Sequence, residues 1–328
     1  MRILKAQGLA SKQYISIIRL FDHCGISTAD DFNLSRAKKQ LQAEFGIAQS
    51  GFIEVDGYAY TRQDVFEEIE RPDFPKRLGF HKQLWNSPEI LALLEKNTVN
   101  LTTIEKEFKP FWNNKEFDEF FSPYFAGPFN YVSRTLLAGM QFREMSELLR
   151  YEDFLQPADR EEALRPLRLF LDENMRTLRN VNGENYKIMR PKMVHWVDGQ
   201  WHLLFDRLPH EFYDIKNDLV SRIINIGVAV QKTHRKDCRK MSDQLIYVND
   251  IPETLRRTIV SNHAVYKKSR VAGLSWRGGF WAVWIIIMLV RGLSNGCGGS
   301  STYTPPDFRY QEIPDSILRM VKDSNFKK

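Results

Sequence analysis

From Gly278 to Val290, between Arg277 and Arg291, the chain carries thirteen residues without one strongly polar side chain. No other feature narrows its folding options as much, because a helix that is apolar on every side has to be enclosed by protein or by lipid. As a helix the run is about 20 Å long, against about 30 Å of hydrocarbon in a bilayer, and on length alone it reads as a buried soluble helix. Extended to Leu274 and Leu293, it becomes a twenty-residue segment whose only charges, Arg277 and Arg291, lie near its ends, where long cationic side chains reach the interface. Trp276, Trp281 and Trp284 gather towards one end, and an indole suits the headgroup level. Its Ile, Leu, Val and Phe residues together favour insertion by roughly 2 to 4 kcal/mol, about what one central arginine would cost, so both arginines have to stay peripheral. The sequence therefore predicts a C-terminal transmembrane helix anchored by Trp276, Arg277, Phe280, Trp281, Trp284, Ile285, Ile286, Ile287, Leu289 and Arg291. A buried soluble helix is the competing expectation, and a monotopic or re-entrant segment the third.

Charge is distributed to match. The net charge of +6 over 328 residues resolves into three blocks: residues 1–230 hold 30 Lys/Arg against 33 Asp/Glu, residues 231–291 hold 12 against 4, and residues 292–328 hold 5 against 4. The excess thus sits just before and around the apolar run. Lys232, Arg235, Lys236, Arg239 and Lys240, with Lys267, Lys268 and Arg270, are the expected contacts to anionic lipid, each nearby cation contributing about 1 kcal/mol. The same residues could hold nucleic-acid phosphates, or could form the solvated end of a long helix whose macrodipole favours cations. Cations are richer on the N-terminal side of the run, which places the bulk of the chain in the cytoplasm and a short tail across the membrane. Two observations agree: the first residues lack the apolar stretch of a secretory signal, and three cysteines at 24, 238 and 297 make a poor disulfide framework.

The rest reads as mainly α, a multi-helix bundle with one or two small β-hairpins. Residues 1–72 are expected to form a small helix-hairpin-helix domain, 73–265 a helical domain, 266–293 a basic juxtamembrane segment and membrane helix, and 294–328 a Gly/Ser-rich tail with a short helix. Helices are predicted from Ser11 to Asp22 and from about Thr28. Around Asp56-Gly57 a type I′ hairpin would pair Val55 with Tyr58 and Ile53 with Tyr60, separating apolar from polar faces. Thr61 and Asp64 then cap another helix. Ser87-Pro88, Ser122-Pro123 and Pro157 mark further helix starts. A second Asp-Gly pair at Asp198-Gly199 suggests a hairpin over 194–203, with Trp196 opposite Trp201 and His195 opposite His202. A long helix is expected after Pro209 towards Lys240, and another after Pro252.

Catalytic signatures are missing: there is no nucleophile elbow, phosphate-binding glycine loop, helical zinc motif or dinucleotide fingerprint, so no catalytic, cofactor or metal residue is assigned. His234 with Cys238, and His23 with Cys24, are too far apart in sequence to argue for zinc. The acidic pairs Glu67-Glu68 and Glu161-Glu162 read as solvated charge. The predicted role is a membrane-tethered interaction or scaffold protein with lipid and an unidentified protein as partners. Two alternatives are a nucleic-acid-binding head using Lys38, Lys39 and Arg62, disfavoured by the net acidity of residues 1–230, and a soluble enzyme without a recognisable motif.

Overall fold

The computed structural model describes residues 12–29, 32–48 and 51–268. The expected membrane helix with its anchor residues 276–291, the tail and Arg270 lie outside them. Among the described residues no helix is long and apolar enough to cross a membrane.

Helix α1 (Ile17–His23) starts where Ser16 Oγ accepts the N–H of Arg19, several residues after the expected Ser11. Helix α2 (Leu34–Ile47) is capped by Asn33, whose Oδ1 accepts from the Arg36 N–H at 3.0 Å, in place of the expected Thr28. Strands β1 (Phe52–Val55) and β2 (Tyr58–Thr61) pair antiparallel with Ile53 opposite Tyr60 and Val55 opposite Tyr58, the register predicted. Asp56 (φ 53°) and Gly57 (φ 81°) both take the left-handed conformation that a type I′ turn requires. The predicted cap of α3 (Arg62–Ile69) is also present: Thr61 Oγ1 accepts from the Asp64 N–H at 3.1 Å and donates to Asp64 Oδ2 at 2.6 Å.

These elements close a first core built on Ile17, Phe21, Leu41, Ile53, Tyr60, Val65 and Ile69. Helix α4 (Phe74–Trp85) belongs to two cores at once. Phe74 and Leu78 complete the first, whereas Phe80 and Leu84 enter a larger second one.

The second core is helical throughout: α5 (Pro88–Lys96), α6 (Ile104–Phe108), α7 (Lys115–Ala138), α8 (Phe142–Leu148), α9 (Pro157–Arg179), α10 (Tyr186–Met189), α11 (Val194–Asp198), α12 (Trp201–Phe205), α13 (Tyr213–Val230), α14 (Arg235–Leu245) and α15 (Glu253–Lys268). Helices α7 and α9 form its spine. Along α7 the rings of Phe117, Phe121, Phe125 and Phe129 follow one another at intervals of four residues, with neighbouring centroids 5.0, 4.9 and 5.4 Å apart. This buried stripe carries the helix through Pro123 and Pro128, so Ser122-Pro123 lies inside α7 and starts nothing. Ser122 caps at a distance instead: its Oγ accepts the Gln156 N–H at 2.7 Å and donates to Asp159 Oδ2 at 2.6 Å, holding the start of α9. The long helix expected after Pro209 breaks at 231–234 into α13 and α14.

Residues 194–203 correct the sequence reading: they form α11 and α12, not a hairpin. A type I′ turn needs positive φ at both central residues, and Gly199 has φ −81°. Here the glycine serves close approach, since a Cβ at 199 would lie 2.4 Å from the His195 carbonyl oxygen. The short helices also let both indoles be buried with their N–H groups paired: Trp196 Nε1 donates to Asn174 Oδ1 and Trp201 Nε1 to the Trp196 carbonyl, each at 3.0 Å. A lone two-stranded ribbon offers no such enclosure. Gly199→Ala is therefore expected to destabilise the protein by about 1 to 3 kcal/mol, read as a lower midpoint in urea with an unchanged slope.

Candidate functional site

Two polar assemblies emerge from this frame. The first lies where the two cores meet. Glu68 on α3 is fully buried, which costs heavily for a carboxylate unless donors surround it. Four do. Arg77 Nε reaches Oε1 at 2.6 Å and Nη2 reaches Oε2 at 2.9 Å, Tyr124 from α7 donates to Oε2 at 2.9 Å, and His81 Nε2 lies 3.1 Å from Oε1. A carboxylate only accepts, so His81 carries its proton on Nε2 and leaves Nδ1 to accept from the Tyr14 hydroxyl at 3.0 Å. Burial alone would raise the Glu68 pKa, but the hydrogen bonds from His81 and Arg77 outweigh it and hold the carboxyl well below its ordinary range. Burial pushes His81 the other way, towards the neutral form, against the opposing pull of Glu68.

Tyr14, His81 and Glu68 have the connectivity of a catalytic triad, and Tyr14 borders an open cleft of about 390 Å³ also lined by Lys12, Glu95, Tyr124, Arg134 and Glu162. Its electrostatics oppose nucleophilic use. Burial, Tyr124 and Glu95 raise the Tyr14 pKa well above the usual phenol value, so the hydroxyl keeps its proton. The assembly is a seam between cores, not an activated nucleophile.

The second assembly contains the predicted lipid contacts. Arg235, Lys236, Arg239 and Lys240 share the exposed side of α14, while Asp237, Cys238, Met241 and Ser242 face inwards. Arg235 and Lys236 open the helix, the positive end of its dipole, so the macrodipole account of these cations fails. Buried Asp237 gathers further groups. Tyr186 donates to its Oδ2 at 3.0 Å, and Arg190 Nε and Nη2 reach Oδ2 and Oδ1 at 2.9 and 3.2 Å. Burial would raise the Asp237 pKa, and these hydrogen bonds overcome it and lower the value. Asp198 then joins Arg190 (3.4 Å) to Lys240. Tyr186 and Arg190 thereby clamp their segment beside α14, and Lys187 and Lys192 of the same segment are exposed.

The end of α15 arrives at the same place. Cys238 Sγ donates to the Gly227 carbonyl at 3.2 Å, Tyr266 packs beside both residues, and Ser242 bonds His263 at 3.0 Å, so α15 runs antiparallel to α14 and brings exposed Lys267 to the basic end. Arg239 pairs with Asp243 at 3.8 Å, and Lys232 is exposed just before α14. Lys268 closes α15, and its side chain is outside the described set.

Other candidates dissolve into local contacts. Buried Cys238 and Cys24 have thiol pKa values pushed up by burial to about 12 and about 11, and His234 packs on the Tyr186 ring 4.7 Å away. His195 pairs with Asn174 at 2.8 Å and His202 with Gln244. No group of three or more metal-ligating side chains gathers among the described residues. Lys38 and Lys39 lie midway along α2, whereas Arg62 opens α3 over the Phe66 ring. Glu68 corrects the reading of Glu67-Glu68 as solvated: only Glu67 is exposed, paired with Lys12 at 2.6 Å. The missed signal was periodicity, because Glu68 sits in the Val65-Ile69 stripe and Arg77 and His81 in the Phe74-Leu78 stripe.

No protein-family model, curated protein or solved structure matches this chain.

Removing the carboxylate while keeping its shape isolates the buried pair. Glu68→Gln strands Arg77 without its counter-charge and is expected to cost about 3 to 5 kcal/mol in urea unfolding. The histidines set a pH slope. Unfolded imidazole titrates near about 6.5, whereas burial lowers His81 in the fold and lowers His195 to about 4. Below about 6.5 the unfolded chain therefore binds more protons than the native one, and stability falls with pH. The loss steepens below about 5.5, where an unfolded glutamate begins to protonate while Glu68 in the fold stays ionised. Unfolding free energies measured from pH 8 to 4 should show this onset, and His195→Gln should remove part of the slope.

Proposed function

We propose that this protein is a membrane-associated interaction module that holds an anionic lipid surface with the basic face built from α14, the 186–192 turn and the end of α15. One observation carries the reading: Asp237 and Asp198 tie Arg190 to α14 and to Lys240, which brings a cationic segment distant in sequence beside the basic side of α14, near the end of α15. Those two acids are occupied by Arg190 and Lys240, so Lys187, Lys192, Arg235, Lys236 and Lys267 present their charge outwards. Charge of one sign on one face, close to a phosphate-bearing layer, binds through additive contributions of about 1 kcal/mol per cation.

In this reading the apolar segment 274–293 enters the bilayer, and the helical body displays its remaining surface to a protein partner on the cytoplasmic side. The proposed tether rests on composition: twenty residues with charges only near the ends and three tryptophans towards one of them.

Co-sedimentation with vesicles tests both parts. The full chain is expected to bind vesicles of phosphatidylcholine and phosphatidylserine more tightly than neutral vesicles, with an increment that fades in high salt. Arg235→Gln with Lys236→Gln should cost about 2 kcal/mol, or about thirtyfold in that increment. A chain ending at Lys268 should keep the salt-sensitive increment and lose salt-resistant recovery. Equal binding to neutral and anionic vesicles would remove the lipid reading, and equal salt-resistant recovery of the two chains would remove the tether.

A further inference from the structure

Residues 187–194 read Lys-Ile-Met-Arg-Pro-Lys-Met-Val, three cations and no acid. Their side chains divide sharply. Met193 is buried and Arg190 is held by Asp237, whereas Lys187, Ile188, Lys192 and Val194 project outwards. At 79%, Ile188 is the most exposed large apolar side chain among the described residues. The backbone that presents it is held at two points one helical turn apart: Tyr186 is buried with its hydroxyl on Asp237, and Arg190, four residues on, binds the same carboxylate. An apolar tip set between two residues that are both tied to buried Asp237, and flanked by Lys187 and Lys192, is not free to fold back and hide itself. The nearest acid in sequence on this turn is Glu184, two residues before Tyr186.

Resting on the proposed lipid-facing role of the basic surface, we infer that Ile188 is an apolar wedge that enters the acyl boundary of an anionic bilayer. Lys187, Lys192, Arg235 and Lys236 stay with the phosphates. The division suits an interface: cationic heads favour the headgroup layer, and apolar side chains sink about 5–10 Å below it. Val194, 46% exposed, is placed to follow at shallower depth. Charge complementarity selects a bilayer of net negative charge over a neutral one, and the exposed isoleucine selects a lipid surface over a purely ionic partner.

The full-length chain carries the test. With Cys297→Ser to remove one thiol, and Cys24 and Cys238 buried, Ile188→Cys accepts a nitroxide without disturbing the core. Leu169→Cys on α9, 61% exposed, is the control. On vesicles containing phosphatidylserine, the label at 188 should become shielded from a water-soluble relaxant and accessible to oxygen, while the label at 169 stays in water. Ile188→Ser should weaken the anionic-vesicle increment about tenfold. Phosphatidylserine-dependent binding with both labels equally water-accessible would overturn the wedge and leave the electrostatic reading intact. Loss of any preference for anionic vesicles would overturn both, as would tighter binding to a single-stranded oligonucleotide at the same salt.

Discussion

A carboxylate with no access to water has to be met by donors from all sides, and Glu68 meets that condition only when two cores are docked. Its donors come from α4 and α7, and His81 is itself oriented by Tyr14 from the segment before α1. No single core supplies the set. Docking out of register would bury Glu68 and Arg77 with part of their hydrogen bonding unmet, a state costing several kcal/mol. The seam consequently acts as a registration device: hydrophobic contact can tolerate sliding, whereas four donors on two oxygens fix one arrangement. Arg19 repeats the pattern between α1 and α5, with a bidentate pair to Glu95 at 2.7 and 2.8 Å and stacking on the Tyr58 ring at 4.2 Å.

What could be read from sequence was whatever is decided within a few residues. The Asp56-Gly57 turn, the strand register around it and the Thr61-Asp64 cap depend on backbone angles and side-chain reach inside ten positions, and all three stand as predicted. The second Asp-Gly pair shows the limit. Asp198-Gly199 carries the same local signal, but Trp196 finds Asn174 on α9 and the flanking residues pack as helices, so tertiary partners override the turn preference. Ser122-Pro123 fails for a related reason. The Phe117–Phe129 stripe gains more from continuous burial than the helix loses at the two hydrogen bonds missing at Pro123 and Pro128.

The candidate surface was half legible. Arg235, Lys236, Arg239 and Lys240 stand out as a charge run, but Lys187 and Lys192 lie more than forty positions earlier and join it only through Asp237 and Asp198. Even the run was misread as to direction. As the end of a long helix its cations would relieve the macrodipole, whereas at the start of α14 they add to it. That reversal cannot be seen without knowing that the chain breaks at 231–234.

The break changes the energetics of the surface. Positive charges stacked at i and i+4 on α14, Arg235 above Arg239 and Lys236 above Lys240, repel one another, and Arg235 and Lys236 also face the positive pole of their helix. Asp237, Asp198 and Asp243 relieve part of this strain, chiefly for Arg190, Lys240 and Arg239. A layer of phosphates, as proposed above, would relieve the remainder, and lipid binding would then be linked to the stability of the α14–α15 pair: whatever binds the folded surface and not the unfolded chain stabilises the fold by mass action. The same linkage runs in reverse. Tyr186 and Arg190 hold the turn in place through Asp237, and any loosening of that clamp lowers the density of charge the surface can present.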